Sequence, residues 1–370
     1  GAVGSALYDA VATLSADQAR AAFAGMAGDA HASLASTAFA TAGLTREAVL
    51  DRLRWGGGSE LRDYGSLPAA DTADRPGEPV AVPARVFDPR VVGLWGQGLG
   101  SLGQARAGGN AAALSRQSAG FVMGVDARLD GLGAGGLRLG VVGGHVETTF
   151  ASPGQVQTGT VTSTFGGVYG SLEAGPAVLR FGALAADEPA RLRRVVAFPG
   201  LTDTPNARAG GRSVQGFGEA GYRVALGAGS MLEPFVGAGA VALGRDRFAE
   251  QGGAAALTGS ARGSLLPTAT AGLRAEAQLD PEAALPVSVH ALAGYRRTFG
   301  DVVPSAVLAF RGTGARFVAA GLPIDRDALV AEAGLSVWLT PAASLGVSYT
   351  GQIGARAQDH AAKGAFTVRF

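Results

Sequence analysis

The sequence predicts an all-β transmembrane barrel of 12 antiparallel strands, preceded by an α-helical segment that is a candidate to thread the lumen. Three observations predict it. Apolar and polar residues alternate with a period of two in one stretch after another from Val91 to Phe370. The connections between these stretches alternate between short turns and long loops, as in a barrel with two unlike rims. Charges collect on one face of the stretches, while Ala, Leu, Val and Phe dominate the other.

Residues 1–54 read as helical. Ser15-Ala16-Asp17-Gln18 has the form of a capping box, and Ala-rich sequence without Pro follows. Ala19, Phe23, Met26 and Ala27, then Ala30, Leu34 and Ala38, recur at helical spacing. Gly25, Gly28 and Gly43 interrupt, which predicts two or three helices, the last a short one over 46–54. Residues 55–90 read as a linker: Gly56-Gly57-Gly58 opens it, and Pro68, Pro76, Pro79, Pro83 and Pro89 follow.

Residues 91–370 form the predicted barrel. Its strands are placed at 91–103, 117–130, 137–150, 161–174, 177–192, 213–226, 231–248, 265–279, 286–300, 326–339, 344–356 and 361–370. In the tenth, Leu329, Ala331, Ala333, Leu335 and Val337 oppose Glu332, Gly334 and Ser336. Short turns are expected at 130–133 and 226–230, and long loops near 104–116, 151–160, 193–212, 249–264 and 301–325. Residues 302–320 also alternate. A thirteenth strand would put the barrel's two ends on opposite rims, so they are assigned to strand extensions and a loop.

The faces decide between lipid and water. Asp126, Arg128, Arg138, Arg180, Glu219, Arg223, Glu233, Arg274, Glu276, Arg296, Glu332 and Arg369 share the polar face. A soluble barrel of this strand number would have a lumen too wide to fill with the Ala and Val available. Turned inward, the charges meet a wet lumen. Turned to lipid, each Arg at the midplane would cost roughly 2–4 kcal/mol. The polar face is therefore assigned to the lumen and the apolar face to lipid.

Composition excludes more than it selects. The chain has 370 residues, 59 Gly, no Cys and a formal net charge of +1. No apolar run is long enough for a helical membrane span. The charge balance gives no reason to expect nucleic acid. Without Cys there are no disulfides, thiolate nucleophiles or zinc–thiolate sites. Lys363 is the only lysine, which reads as a GC-rich genome rather than a function. No signal peptide opens the chain, so an envelope protein is expected to be represented here by a processed or truncated piece.

The last strand carries a resemblance. Gly364, Phe366, Val368 and Phe370 share one face and Ala365, Thr367 and Arg369 the other. This ending resembles the final strand of bacterial outer-membrane barrels, in which the terminal aromatic strand is read by the barrel-assembly machinery. Phe366, Val368 and Phe370 are the implied assembly signal. The order of helices, linker and barrel resembles the translocator domain of autotransporters (type V secretion). Leu14–Arg20, Gly28–Ser36, Gly218–Arg223, Leu232–Phe235, Ala320–Ala328 and Gly346–Gln352 also look like that family.

The resemblance implies an integral outer-membrane protein that exports its own N-terminal passenger to the cell surface. Its implied partners are that passenger, the assembly machinery, periplasmic chaperones and lipid. It is expected to act as a monomer, with no cofactor, metal or nucleic acid. A helix ahead of the first strand threads the pore in that family; 44–54 and 16–42 are both candidates here. If 46–54 does so, Arg46, Arg52 and Arg54 are placed to pair with Glu219, Glu233 and Glu332. Some members cleave the passenger at an Asn in this helix. Residues 1–54 hold no Asn, so release is expected to need another protease.

Catalytic constellations are absent from the sequence. His31, His145, His290 and His360 lack metal-ligand spacing, and no Ser sits in a G-x-S-x-G elbow. His145 and His290 read as wet lumen or loosely packed strand residues. Gly98–Gly103 matches G-x-G-x-x-G but opens no βαβ unit. The pairs Asp187-Glu188 and Asp325/Asp327 read as solvated loop charges rather than calcium ligands. The alternatives are a passive porin, which predicts an open lumen; a barrel protease or lipase, which predicts catalytic groups near the long loops; and a soluble β-rich binding protein.

Overall fold

Three helices open the chain: α1 (Val3–Ala12), α2 (Ala16–Met26) and α3 (Asp29–Trp55). The computed structural model describes residues 3–55 and 92–370, apart from 109–110, 130–135, 153, 155, 228 and 280–282. The expected linker beyond Trp55 and the turn at 130–133 lie outside the described residues. Ser15 caps α2: its Oγ accepts from the Gln18 backbone while the Gln18 side chain accepts from the Ser15 backbone. Gly28, at φ +66°, turns the chain from α2 into α3. A Cβ there would lie 2.6 Å from Leu257 Cδ1, so this tight turn excludes other residues.

The break expected at Gly43, and with it a separate short helix over 46–54, does not occur. α3 runs unbroken for 27 residues, about 40 Å at 1.5 Å per residue. A mid-helix Gly costs about 1 kcal/mol. Interrupting a helix enclosed by a wall would instead leave several buried backbone groups unpaired, each costing more.

The strands are β1 (Val92–Ala105), β2 (Leu114–Leu129), β3 (Leu137–Ser152), β4 (Gln157–Ala174), β5 (Ala177–Asp187), β6 (Ala190–Arg194), β7 (Val196–Phe198), β8 (Leu201–Asp203), β9 (Asn206–Ala209), β10 (Gly211–Tyr222), β11 (Val224–Gly227), β12 (Ser230–Arg245), β13 (Phe248–Ala249), β14 (Leu257–Gly259), β15 (Arg262–Leu279), β16 (Val287–Thr298), β17 (Ser305–Phe310), β18 (Arg316–Ala320), β19 (Asp327–Thr340), β20 (Ala343–Gly354) and β21 (Ala357–Arg369). Twelve of them close the barrel: β1–β5, β10, β12, β15, β16 and β19–β21, each antiparallel to its neighbour. The first and last strands seal it, from Gly93 opposite Arg369 to Ala105 opposite Ala357.

Several loops differ from expectation. Two predicted long loops are short, because β1 and β2 extend to leave only 106–113 between them, and β3 and β4 leave 153–156. The strand expected over 177–192 stops at Asp187, and Pro189, which has no N–H to donate, precedes the change of partner. β6 then pairs with the upper part of β4 and with β9. Residues 302–320 hold the β17–β18 hairpin, which joins β13 and β14 in a separate four-stranded sheet above the barrel.

The outward face is apolar: Val141, Val168, Val236, Leu329 and Val347 are each more than half exposed. In water such a belt would be an aggregation surface; lipid covers it. The chain makes short turns at one rim, such as 175–176 and 341–342. The extra sheet, the β7–β8 hairpin and α1–α2 lie at the other. There Ala22 and Met26 of α2 pack on Val196 and Ala255, with Leu7 and Val11 alongside.

Candidate functional site

The lumen is the site, and α3 occupies it. Of its 27 residues 22 are buried and the other five are half-buried; the run Thr45–Arg54 is buried throughout. Beside Arg46, Glu47 and Arg296 a cavity of about 30 Å³ remains, room for about two waters.

Charged residues hold the lower end. Arg52 grips Asp126 with two parallel bonds of 2.8 and 2.9 Å and reaches Thr367 at 3.2 Å. Asp126 also accepts from Arg138 at 2.9 Å and from the Tyr169 hydroxyl at 2.7 Å, which itself accepts from Trp95 Nε1. Arg54 donates to Glu219 at 2.5 Å and to Glu47 at 2.9 Å. Glu219 accepts further from Arg180 and Arg274. Glu233 is fully buried and accepts from Arg180 twice, with Arg274 and Arg223 close by. Arg180 also donates to the Leu53 carbonyl at 3.2 Å, satisfying one of the open carbonyls at the helix end.

Across the lumen, Glu47 accepts from Arg296 at 2.6 Å, and Asp51 accepts from Lys363. Glu332 accepts from Trp55 Nε1 at 2.9 Å and faces Lys363 at 3.4 Å. His290 stacks on Trp55 at 4.2 Å.

The middle of α3 carries no charge. Thr41 shares a hydrogen bond with Thr148 at 3.0 Å, and Thr148 another with Ser118. Gln215 donates to the Ala42 carbonyl and to Thr45 Oγ1. Ala38, Phe39 and Ala42 pack on Val241, Leu243 and Leu266.

The upper end is locked to the loops. Asp29 accepts from the Ala112 backbone at 3.0 Å and from Gln157 at 2.9 Å. His31 Nε2 lies 2.7 Å from Glu250, and its ring stacks on Phe248 at 4.0 Å. Glu250 takes a two-pronged bond from Arg194, at 2.8 and 2.6 Å, and Arg194 also donates to the Gly25 carbonyl. Burial pushes the His31 pKa down. Burial opposes ionisation of Glu250, but the Arg194 and His31 hydrogen bonds outweigh it and lower its carboxyl to about 2.

Of the expected helix pairings, the structure brings together Arg54 and Glu219. Arg52 goes to Asp126 instead, and Arg46 comes only within 3.9 Å of Glu47, its neighbour on the helix. Glu233 is engaged by wall arginines and Glu332 by Trp55 and Lys363. Arg128 lies near the lower rim, 3.7 Å from Glu173, and Glu276 is buried in the wall. Phe366 and Phe370 point outward and are exposed. His290 is a lumen residue, but His145 is not: it lies on the outward face beside Phe121. Glu188 is not a solvated loop charge; it is 1% exposed and bound to Ser213. Asp325 accepts from the Arg356 and Ala357 backbones, and Asp327 from Arg297.

Sequence reading missed Glu47, Asp51, Trp55, Tyr169 and Lys363. For Lys363 the signal was present: it extends the inward row Ala365, Thr367, Arg369 by one step. For the helix residues there was none, because their partners come from strands hundreds of residues away.

The sequence matches the family described as autotransporter beta-domain over residues 94–350. Two curated relatives, both an extracellular serine protease of Serratia marcescens, are 29% and 26% identical over 75% and 93% of this chain. The chain spans 26% and 30% of their lengths. The translocator domain of autotransporter NalP from Neisseria meningitidis superposes with a TM-score of 0.62 at 16% identity, covering 76% of this chain and 90% of that one. The beta domain of the Bordetella autotransporter BrkA gives 0.54 at 16% identity, over 76% and 100%.

Proposed function

This chain belongs to the autotransporter β-domain family, a translocator barrel integral to the outer membrane, and from that premise we propose that its lumen exports an N-terminal passenger and is then closed by α3. The path of α3 carries the reading. Asp29 bonds residues at the long-loop rim, and Arg52 bonds Asp126 and Thr367 near the short-turn rim, where β1 begins. Whatever precedes α3 therefore lies on the long-loop side, although the barrel starts on the other. A chain with that path has passed through the lumen.

On this reading residues 1–54 are the junction and pore helix, 55–90 the linker, and 91–370 the translocator. The barrel closes within one chain, so a pore needs no second copy. The inward charges named above, with Arg46, Arg52 and Arg54, form the seat of the helix. Phe366, Val368 and Phe370 present an outward apolar row ending on an aromatic for the assembly machinery, with periplasmic chaperones delivering the chain. These residues perform no catalysis; a serine protease activity like that of the named relatives would belong to the passenger.

The test adds a signal peptide and an epitope tag before Gly1 and expresses the chain in a Gram-negative host. Surface staining of the tag, with its removal by external protease while a heat-modifiable barrel stays in the outer membrane, is the expected result. A barrel that inserts while its tag stays periplasmic would sink the export reading and favour a passive channel.

A further inference from the structure

On one side of the barrel the outward wall changes character above the apolar belt. Lower on β2, β3 and β4 the outward residues are Phe121, Val141 and Val168. Higher up, the same face continues as Gln117, Thr149, Thr160 and Thr158, and then crosses onto the β6–β9 ribbon. Together these residues line a groove of about 590 Å³, within the size range of small-ligand sites.

Register places three guanidiniums there. Thr160 lies opposite Arg191, which lies opposite Arg208; Thr158 lies opposite Arg193, which lies opposite Asn206. Arg191 and Arg193 are two residues apart on one strand, so they share a face. All three arginines are exposed, and among the described residues none has a carboxylate within ion-pair distance. By contrast, exposed Arg297 donates to Asp327 at 2.5 Å. Past Arg208 the Asp246 carboxylate reaches over Gly210; on the other side the carboxylate nearest in register is Glu147. It lies opposite Thr162, with β4 between it and Arg191. Like charges directly opposite one another destabilise a sheet. An anion lying between Arg191 and Arg208 reverses the sign of that contact.

We propose that this groove binds the phosphate groups of an outer-leaflet glycolipid, a phosphorylated sugar carrying several acyl chains. Arginine forks match phosphate oxygens two at a time, and the Thr hydroxyls and Asn206 add neutral donors around them. The position selects a lipid over free phosphate. Below the groove the same face passes Ala119, Glu147 and Thr162 and then reaches Phe121, so one molecule can lay its acyl chains on Phe121, and on Val141 and Val168 further down, with its phosphates on the arginines. A soluble phosphate gains nothing from that belt. The inference rests on the long-loop rim facing outside, and external protease on intact cells reads that orientation separately.

The experiment uses the full chain, folded in nanodiscs of zwitterionic phospholipid. It is titrated with bisphosphorylated lipopolysaccharide, with the same lipid after phosphate removal, and with inorganic phosphate. The phosphorylated lipid is expected to bind at least about tenfold tighter than the dephosphorylated one, the size of one charge-assisted contact. Combined Arg191→Gln, Arg193→Gln and Arg208→Gln should bring the two lipids level. The Lys versions at the same positions should recover part of the difference. Arg247→Gln, Arg262→Gln and Arg316→Gln, which remove equal charge outside the groove, should leave it intact. Equal binding of the two lipids by the unmodified chain would overturn the proposal without needing any variant. So would an equal loss in the charge control, which would mean diffuse attraction. Inorganic phosphate competing as well as the lipid would replace the lipid with a free anion as occupant.

Discussion

The two halves of α3 meet one continuous wall through different chemistry. From Arg46 to Trp55 the helix is held by ion pairs, two of them reaching Asp126 and Glu219 on strands far apart around the barrel, beside an apolar face in which Ala48, Val49, Leu50 and Leu53 pack on Trp95, Leu99, Val122 and Phe217. From Ser33 to Thr45 it presents hydroxyls and methyl groups, and hydroxyls and apolar side chains of the wall meet them. Buried ion pairs add little net stability over well-packed apolar residues, because desolvation offsets their attraction; one attested use is to fix register. Hydroxyls can exchange partners one turn along; a two-pronged Arg–Asp bond cannot. We propose on this contrast that the lower half sets where the helix stops and the smooth half lets it slide there.

Glu219→Gln tests the pinned half most severely. It removes the carboxylate shared by Arg54, Arg180 and Arg274 and leaves buried guanidiniums with less than their complement. The expected loss is about 3–5 kcal/mol, the usual cost of breaking a buried pair from one side. The heat-modifiability midpoint should fall accordingly. An unchanged midpoint would show that water already screens this cluster, and the contrast between the halves would collapse.

Arg52→Ala should cost less, about 2–3 kcal/mol, because Asp126 keeps Arg138 and Tyr169. Its sharper effect is on the plug. In planar bilayers the unmodified barrel should stay mostly closed, and the variant should open far more often. Openings as rare as in the parent would mean that the smooth half alone retains the helix.

The same contrast explains what could be read from the sequence. Strands announced themselves because lipid imposes a strict apolar row: Leu329, Ala331 and Ala333 alternate with Glu332 whatever lies inside. Parity then assigned Asp126, Glu219 and Glu233 to the lumen before any contact was known. The helix obeyed no such rule. A helix enclosed on every side by a wall of mixed polar and apolar side chains has no solvent face, so α3 lacks the single amphipathic stripe that would have carried it through Gly43. Pairing was equally hidden: parity says that Asp126 points inward, not that Arg52 arrives level with it. Outside the lipid, alternation lapses at 249–264, so the strand at 257–259 read as loop; 302–320 does alternate, but strand parity assigned it to strand extensions and a loop. Lys363 was legible as well, since it extends the inward row of Ala365, Thr367 and Arg369 by one step.

A third test compares the pinned lower end with the lock at the upper one. His31 is held neutral by burial, with its pKa below the ordinary 6.5. An opened upper end would titrate near 6.5, so this contribution is complete above that value and shrinks as pH falls toward the folded pKa. The slope cannot exceed about 1.4 kcal/mol per pH unit for one proton. Glu250, lowered from 4.5 to about 2, adds a second loss between those values. Protease cleavage near Gly28 should therefore quicken first below about pH 6.5 and again below about 4.5. In His31→Gln only the lower step should remain. A single step at the lower pH in the parent would remove His31 from the lock.

The smallest effect has the opposite sign. Gly43 sits in the smooth half, and a Cβ built on it meets nothing within 4 Å. It lies mid-helix and is not among the glycines with positive φ. Gly43→Ala should therefore raise stability by roughly 0.5–1 kcal/mol through helix propensity alone. The heat-modifiability midpoint should rise by a few degrees or less, with surface display of an N-terminal tag unchanged. A loss of display at full stability would be the informative surprise. It would mean that the passing chain needs a flexible point at Gly43, and that smoothness in this half is a property of the helix backbone as well as of its side chains.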